Sequence, residues 1–206
     1  EVIRDHIDRL GLGTRVEVFA HRLKDDAAQA ALGVCDVVFG CMDSVIGRDQ
    51  LSQLTTRCLT PYLDLGVRLD ADGLGGISSI SAAVHYLQPG GSSLTSRGVY
   101  SPEDLYAEYV YETDPIAYAD QVERGYIRGV RVASPAVVSV NTVIAATAVN
   151  ELLARLHPFR SRPNADFAVQ RLLISHGRWV QSPDGEPDLA LAALEGAGSD
   201  PTRAAA

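Results

Sequence analysis

The sequence predicts an α/β protein of Rossmann-like, doubly wound design, its sheet parallel in the first half and mixed or antiparallel in the second, with helices on both faces. Two observations carry this. Over residues 1–67 short apolar runs alternate with helical patterns, and Val37-Val38-Phe39 is continuously apolar, as in a strand buried on both sides. From Ala71 onward the pattern changes to a Gly-rich turn followed by a long β-branched run.

Taken in order, Val2, Ile3, His6, Ile7 and Leu10 fall near one face of a helix over 1–10, stopped by Gly11 and Gly13. A chain that opens inside a helix without Met is expected to have sequence upstream of Glu1. A strand over 15–19, a helix over 25–32, a strand over 36–40, a helix over 45–59 and a strand over 62–67 follow. Gly73, Gly75 and Gly76 form a turn and not a phosphate loop, because no helix N-terminus follows to hold an anion. Asp70 and Asp72 fail as a calcium loop, since Leu74 and Ser81 stand where ligands are needed.

A strand over 77–87 ends at Pro89-Gly90-Gly91-Ser92-Ser93. Residues 92–133 form a long excursion with one or two short helices, a start signal at Ser101-Pro102-Glu103-Asp104, and Tyr106, Tyr109, Tyr111, Tyr118 and Tyr126 clustered within it. Ser134-Pro135 caps an apolar helix over 136–156 that belongs in a core or a dimer interface. A closing hairpin spans 168–180, with His176-Gly177 at its turn, and residues 183–206, rich in Gly, Pro, Asp and Ala, are expected to be a disordered tail.

With 206 residues, 46% hydrophobic and 21% charged, one soluble domain is expected. The balance of 26 acidic against 18 basic residues, net -8, leaves no basic patch to track nucleic acid and suits a basic partner surface better. The apolar helix is interrupted by Ser139, Asn141, Thr142, Asn150, Glu151 and Arg155, so it is expected to be buried and not a membrane span. Cys35, Cys41 and Cys58 match neither a disulfide framework nor a metal knuckle, which points to the cytoplasm. The five histidines are scattered without metal spacing.

Chemistry concentrates in Asp36-Val-Val-Phe-Gly-Cys-Met-Asp43-Ser44. A buried strand running into a carboxylate puts Asp43 in the crevice where open α/β sheets bind ligands. Asp43 or Ser44 could equally cap the next helix, and the two roles can coexist.

Four segments in order, DVVFGCMDSVIGRDQLSQL, TPYLDLGV, YLQPGG and SPAVVSVNTVIAATAVNELL, resemble the ThiF/MoeB/HesA family of ubiquitin-activating-type adenylyltransferases. The resemblance covers residues 1–182 and implies an adenylation domain there. It implies ATP and Mg²⁺ as cofactors, with Asp43 the essential acidic residue near the phosphates and the metal, and Cys41, Met42 and Ser44 beside it. It makes Arg48 a catalytic helix arginine, though a surface salt bridge would also account for it. The implied reaction is adenylation of the C-terminal carboxylate of a ubiquitin-like or sulfur-carrier protein or peptide, its tail laid along the sheet under the crossover loop. One carboxylate suffices to hold a Mg²⁺ that keeps waters and phosphate oxygens. A homodimer through the apolar helix is also implied.

This chain departs from the family in three places. The family's Gly-rich nucleotide loop precedes the segment where the chain begins, so the chain alone is expected to be inactive. Ser93 and Ser96 stand where many members carry a CxxC zinc knuckle, so no zinc is expected. No Cys follows Cys58, which favours adenylation without an enzyme thioester and makes Cys41 and Cys58 small buried hydrophobes. A noncatalytic partner subunit of a ubiquitin-activating-type heterodimer is the alternative function. A nicotinamide-dependent oxidoreductase on a similar sheet is disfavoured by the Cys-x-Asp strand end.

Overall fold

A computed structural model describes residues 2–72, 74, 76–125 and 137–198. Its elements are α1 (Val2–Arg9), α2 (Asp26–Leu32), β1 (Val38–Gly40), α3 (Val45–Arg57), β2 (Tyr62–Ala71), β3 (Ile77–Leu87), α4 (Pro102–Thr113), α5 (Pro115–Glu123), α6 (Val138–Leu156), β4 (Val169–Leu173), β5 (Arg178–Ser182) and α7 (Leu189–Ala192). The five strands form one sheet in chain order, β1-β2-β3-β4-β5. The α3 crossover makes β1 and β2 parallel, and the remaining pairs are antiparallel. The α/β, Rossmann-like class read from the sequence holds, parallel pair first and antiparallel strands after.

Strand alternation gives the sheet two different faces. On one, the paired Leu63 and Tyr86 and the paired Leu65 and Val84 meet Val140, Ile144 and Ala148 of α6. On the other, Tyr62 pairs Leu87, and both pack with Val38, Leu51, Leu94 and Tyr100 beneath α3 and the start of the excursion. Each fully buried side chain of this size contributes roughly 1.5–3 kcal/mol. This second face changes character along the strands, from apolar at Tyr62 and Leu87 to polar from Asp64 onward.

Several boundaries differ from expectation. Residues 15–19 pair with no strand among the described residues, and Val18 and Phe19 are half-exposed, because without a neighbouring ladder an apolar run does not become a strand. The β2–β3 hairpin is longer than its apolar core. It turns at Asp72, whose Oδ1 accepts from the Leu74 and Gly76 amides at 2.7 and 2.8 Å. Of α6 only one face is buried; Val138, Val149 and Leu156 on the other are 77%, 49% and 62% exposed. The Ser134-Pro135 cap and Tyr126 lie outside the described residues.

The excursion forms two helices. Ser101 and Asp104 make a reciprocal capping box with Pro102 in the first turn of α4, and Asp114 caps α5 through the Ala117 amide. Tyr111 and Tyr118 then meet edge to face at 5.1 Å, joining the pair. The stretch after 182 differs from the tail expected. Through residue 198 it lies against the body: the Asp188 amide donates to the Gly91 carbonyl at 3.0 Å, and that of Gly198 to the Arg57 carbonyl at 3.0 Å. Cys41 is exposed and Cys58 only half-buried, so neither is the buried hydrophobe expected. Strand β1 ends at Gly40, so Cys41 lies just beyond it, outside the packed sheet.

Candidate functional site

The site begins where β1 gives way to α3. Ser44 is the N-cap, its Oγ accepting from the Gly47 amide at 2.9 Å. The Val45 and Ile46 amides donate instead to Glu108 of α4, at 2.6 and 3.1 Å. Capping therefore falls to Ser44 and to a buried carboxylate from the excursion. Asp43 is left exposed, making no hydrogen bond with a described residue. Beside it Met42 packs over Gly47, where a Cβ would come within 2.3 Å of the methionine methyl. Partial burial of the Cys41 sulfur and the nearby Asp64 carboxylate both push that thiol up, away from nucleophilic thiolate.

Arg48 ties this turn to the sheet. Its Nε donates to the Met42 carbonyl at 3.2 Å, its Nη2 to the Leu65 carbonyl at 3.3 Å, and it lies 3.5 Å from Asp64. It is not the surface salt-bridge residue that the sequence left open, since its side chain is 18% exposed. The guanidinium lies over Gly66, where an added Cβ would sit 2.9 Å from Nη2.

From Arg48 a cleft of about 280 Å³ opens along the polar part of the sheet. Its floor is set by strand register. One row crosses the three strands as Asp64, His85 and Val169, the next as Gly66, Ala83 and Arg171, and a third as Arg68, Ser81 and Leu173. Asp64 is fully buried; the Tyr62 hydroxyl donates to its Oδ1 at 2.8 Å, while Oδ2 has no partner among the described residues. Burial pushes this carboxyl up, opposed by Arg48 and the Tyr62 bond. His85 is 4% exposed, and its Nδ1 has no partner among the described residues. Burial, followed by Arg97, Arg171 and Arg48, lowers its pKa to about 3, so the ring is neutral at pH 7.

The excursion enters over this cleft through a polar clasp. Arg97 donates to Ser92 Oγ at 2.7 Å, to the Tyr86 carbonyl at 2.9 Å and to Asp184 at 2.8 Å. The Ser92 hydroxyl donates to Asp184, and that of Ser93 to Asp188. Ser93 and Ser96 bind each other's amides at 2.8 and 2.9 Å. The two serines at the CxxC positions thus spend their hydroxyls on hydrogen bonds, and among the described residues no group of His, Cys, Asp and Glu is arranged to hold a metal. Burial would raise the Asp184 carboxyl, but Ser92 and Arg97 outweigh it and hold it low; the Ser93 bond does the same for Asp188.

The structure thus brings together Cys41, Met42, Asp43, Ser44 and Arg48. Asp64, His85, Arg97, Arg171 and Glu108 joined them without having been singled out by sequence. Asp64 carried a usable signal, a lone carboxylate in the apolar strand Tyr62-Leu63-Asp64-Leu65. Glu108 carried none, since its partner is 63 residues away.

No protein-family model matches the chain, and no curated protein matches it by sequence. Among solved structures it is similar to E. coli MccB with ATP, at a TM-score of 0.57 and 12% identity over 91% of this chain and 48% of that one. It is similar also to the microcin C7 biosynthetic enzyme MccB in complex with N-formylated MccA, at 0.60 and 13% over 93% and 51%. At this identity the likeness shows a shared fold. The chain spans about half the length of these MccB chains.

Proposed function

We propose that the protein containing this chain adenylates the C-terminal carboxylate of a peptide or small carrier protein, as the resemblance to ThiF/MoeB/HesA enzymes implies. One observation carries it. Three residues beyond the end of the parallel strand β1, Asp43 keeps an exposed carboxylate that makes no hydrogen bond with a described residue, while Ser44 and Glu108 perform the capping and Arg48 ties the turn to the cleft. The solved MccB structures with ATP and with MccA support a nucleotide and a peptide as the two ligands.

In this scheme the tail lies along the polar sheet face, beneath the excursion entered at Arg97, and its carboxylate arrives near Arg48. A C-terminal carboxylate is ionised near pH 7, so no general base is required. One of its oxygens bonds to the α-phosphorus of ATP, the α–β bridging P–O bond breaks, and pyrophosphate leaves with the electron pair. Positioning and charge neutralisation supply the acceleration. Asp43 fits a Mg²⁺ that travels with the nucleotide, because a hard cation needs few protein oxygens when phosphates and waters complete its shell. Bound there, Mg²⁺ would neutralise phosphate charge. Cys41, Met42 and Ser44 would flank the nucleotide. Whether the substrate is ubiquitin-like, a sulfur carrier or a short peptide follows from the tail it accepts. A homodimer would use the exposed face of α6, and the cytoplasm is the proposed compartment.

The test is pyrophosphate exchange into ATP by the full-length gene product, dependent on added peptide or carrier. Asp43→Ala is expected to lower exchange by about a hundredfold or more. Exchange retained in that variant removes Asp43 from the chemistry, and no exchange by the wild type with any tail favours a noncatalytic partner subunit.

A further inference from the structure

Of the four arginines that line the polar cleft, Arg48 and Arg171 stand at the two ends of a smooth floor. Gly66, Ala83 and Arg171 occupy one register row on β2, β3 and β4, and Arg48 lies over the Gly66 end. Adjacent strands are about 4.8 Å apart, so the row from Gly66 to Arg171 spans about 10 Å, bridged by a hydrogen and a methyl group. The two cations differ in what they already hold. Arg48 is engaged by Met42, Leu65 and Asp64. Arg171 makes no hydrogen bond or ion pair with a described residue. Arg97 is spent on Asp184 and Arg68 on Asp70.

Two further observations point to a ligand at this place. His85 and Asp64, buried in the row beside it, each keep a polar atom without a partner among the described residues, Nδ1 and Oδ2 respectively. An unpaired buried polar atom costs free energy unless something else satisfies it. The cleft is also cationic in a chain of net charge -8, being lined by Arg48, Arg68, Arg97 and Arg171 against Asp64.

We propose that Arg171 is a specificity determinant that reads an acidic side chain of the activated tail, so that the preferred substrate carries Asp or Glu about three residues before its carboxyl terminus. The spacing follows from the row. With the terminal carboxylate beside Arg48, an extended chain rising about 3.3 Å per residue covers about 10 Å in three residues. Arginine pairs with a carboxylate through two parallel donors, which gives direction as well as charge. The proposal rests on the peptide-adenylating function above, and names its substrate class.

The experiment uses two dye-labelled heptapeptides with free C-termini, identical except for Asp or Asn at the third residue from the end, titrated against the protein by fluorescence anisotropy. Wild type is expected to bind the Asp peptide about tenfold more tightly, the equivalent of about 1.4 kcal/mol. In Arg171→Gln the preference falls within about twofold and in Arg171→Lys part of it returns, as a charge without the fork would allow. A circular-dichroism spectrum and a denaturant midpoint matching those of wild type show that Arg171→Gln is folded. Equal binding of both peptides by wild type, or a preference that survives Arg171→Gln, overturns the proposal and leaves the peptide cleft standing. Binding of neither peptide overturns both. Binding of tripolyphosphate that is lost in Arg171→Gln, with no Asp preference, assigns Arg171 to the nucleotide and also overturns it.

Discussion

Two carboxylates are buried on opposite faces of the sheet, and they are treated in opposite ways. Glu151 of α6 is fully buried and saturated: it accepts from Arg155 Nε at 2.7 Å, from Gln170 at 2.6 Å and from Arg160. Its arginines are themselves stacked, Arg155 at 3.4 Å over the Tyr86 ring and Arg160 at 4.0 Å over Phe167. Asp64 on the other face keeps one oxygen unpartnered and its arginine is shared with two carbonyls. A saturated buried charge holds a fold together, whereas an under-satisfied one beside an open cleft is available for a ligand. Burial alone does not separate the two.

The largest effect is expected where saturation is broken. Glu151→Ala strands Arg155 and Arg160 and should cost about 3–5 kcal/mol of unfolding free energy, measured by denaturant titration. A loss below about 1 kcal/mol would erase the distinction between the faces.

The next effect is one of pH. His85 is held neutral with its pKa lowered to about 3, against about 6.5 when unfolded. Between these values the unfolded chain binds the extra proton, so stability falls as pH drops below about 6.5 and continues to fall toward 3. From pH 6.5 to 5 this single group removes about 2 kcal/mol. Asp64, with its carboxyl raised, acts with the opposite sign. His85→Gln should flatten the loss measured between pH 7.5 and 5, and an undiminished slope would assign it to other groups.

A smaller change is expected at the clasp. Ser92→Ala removes one partner each from Arg97 and Asp184 and should cost about 1–2 kcal/mol, read as a lowered denaturant midpoint at constant m-value. The smallest belongs to Asp64→Asn, which keeps an acceptor for Tyr62 and removes a desolvated charge, and should change stability by about 1 kcal/mol or less. If it destabilises as much as Glu151→Ala, Asp64 belongs to the architecture and not to the cleft.

Local patterning was legible where the signal was short-range. Ser101-Pro102-Glu103-Asp104 announced its capping box and Asp36 to Ser44 the turn carrying the candidate acid, whereas Val37-Val38-Phe39 announced a strand but not its burial on both sides, since β1 is Val38–Gly40 and Phe39 is 37% exposed. The strand expected over 15–19 failed, because strand formation needs a ladder partner that periodicity does not supply. Through residue 198 the stretch expected as a tail is instead held against the body, since Asp184 and Asp188 are bound by serines about ninety residues earlier; residues 199–206 lie outside the described residues.

From its sequence alone the protein determined its α/β class, the order of its principal helices and strands, and the position of Asp43 at a strand end. These follow from hydrophobic period, turn residues and caps, all of which act within a few residues. Only the tertiary structure decided that Glu108 and Ser44 share the capping, that Arg48 bridges turn and sheet, and that Gly66, Ala83 and Arg171 form one row. Those depend on strand register and on contacts between residues far apart in the chain, which local pattern does not encode.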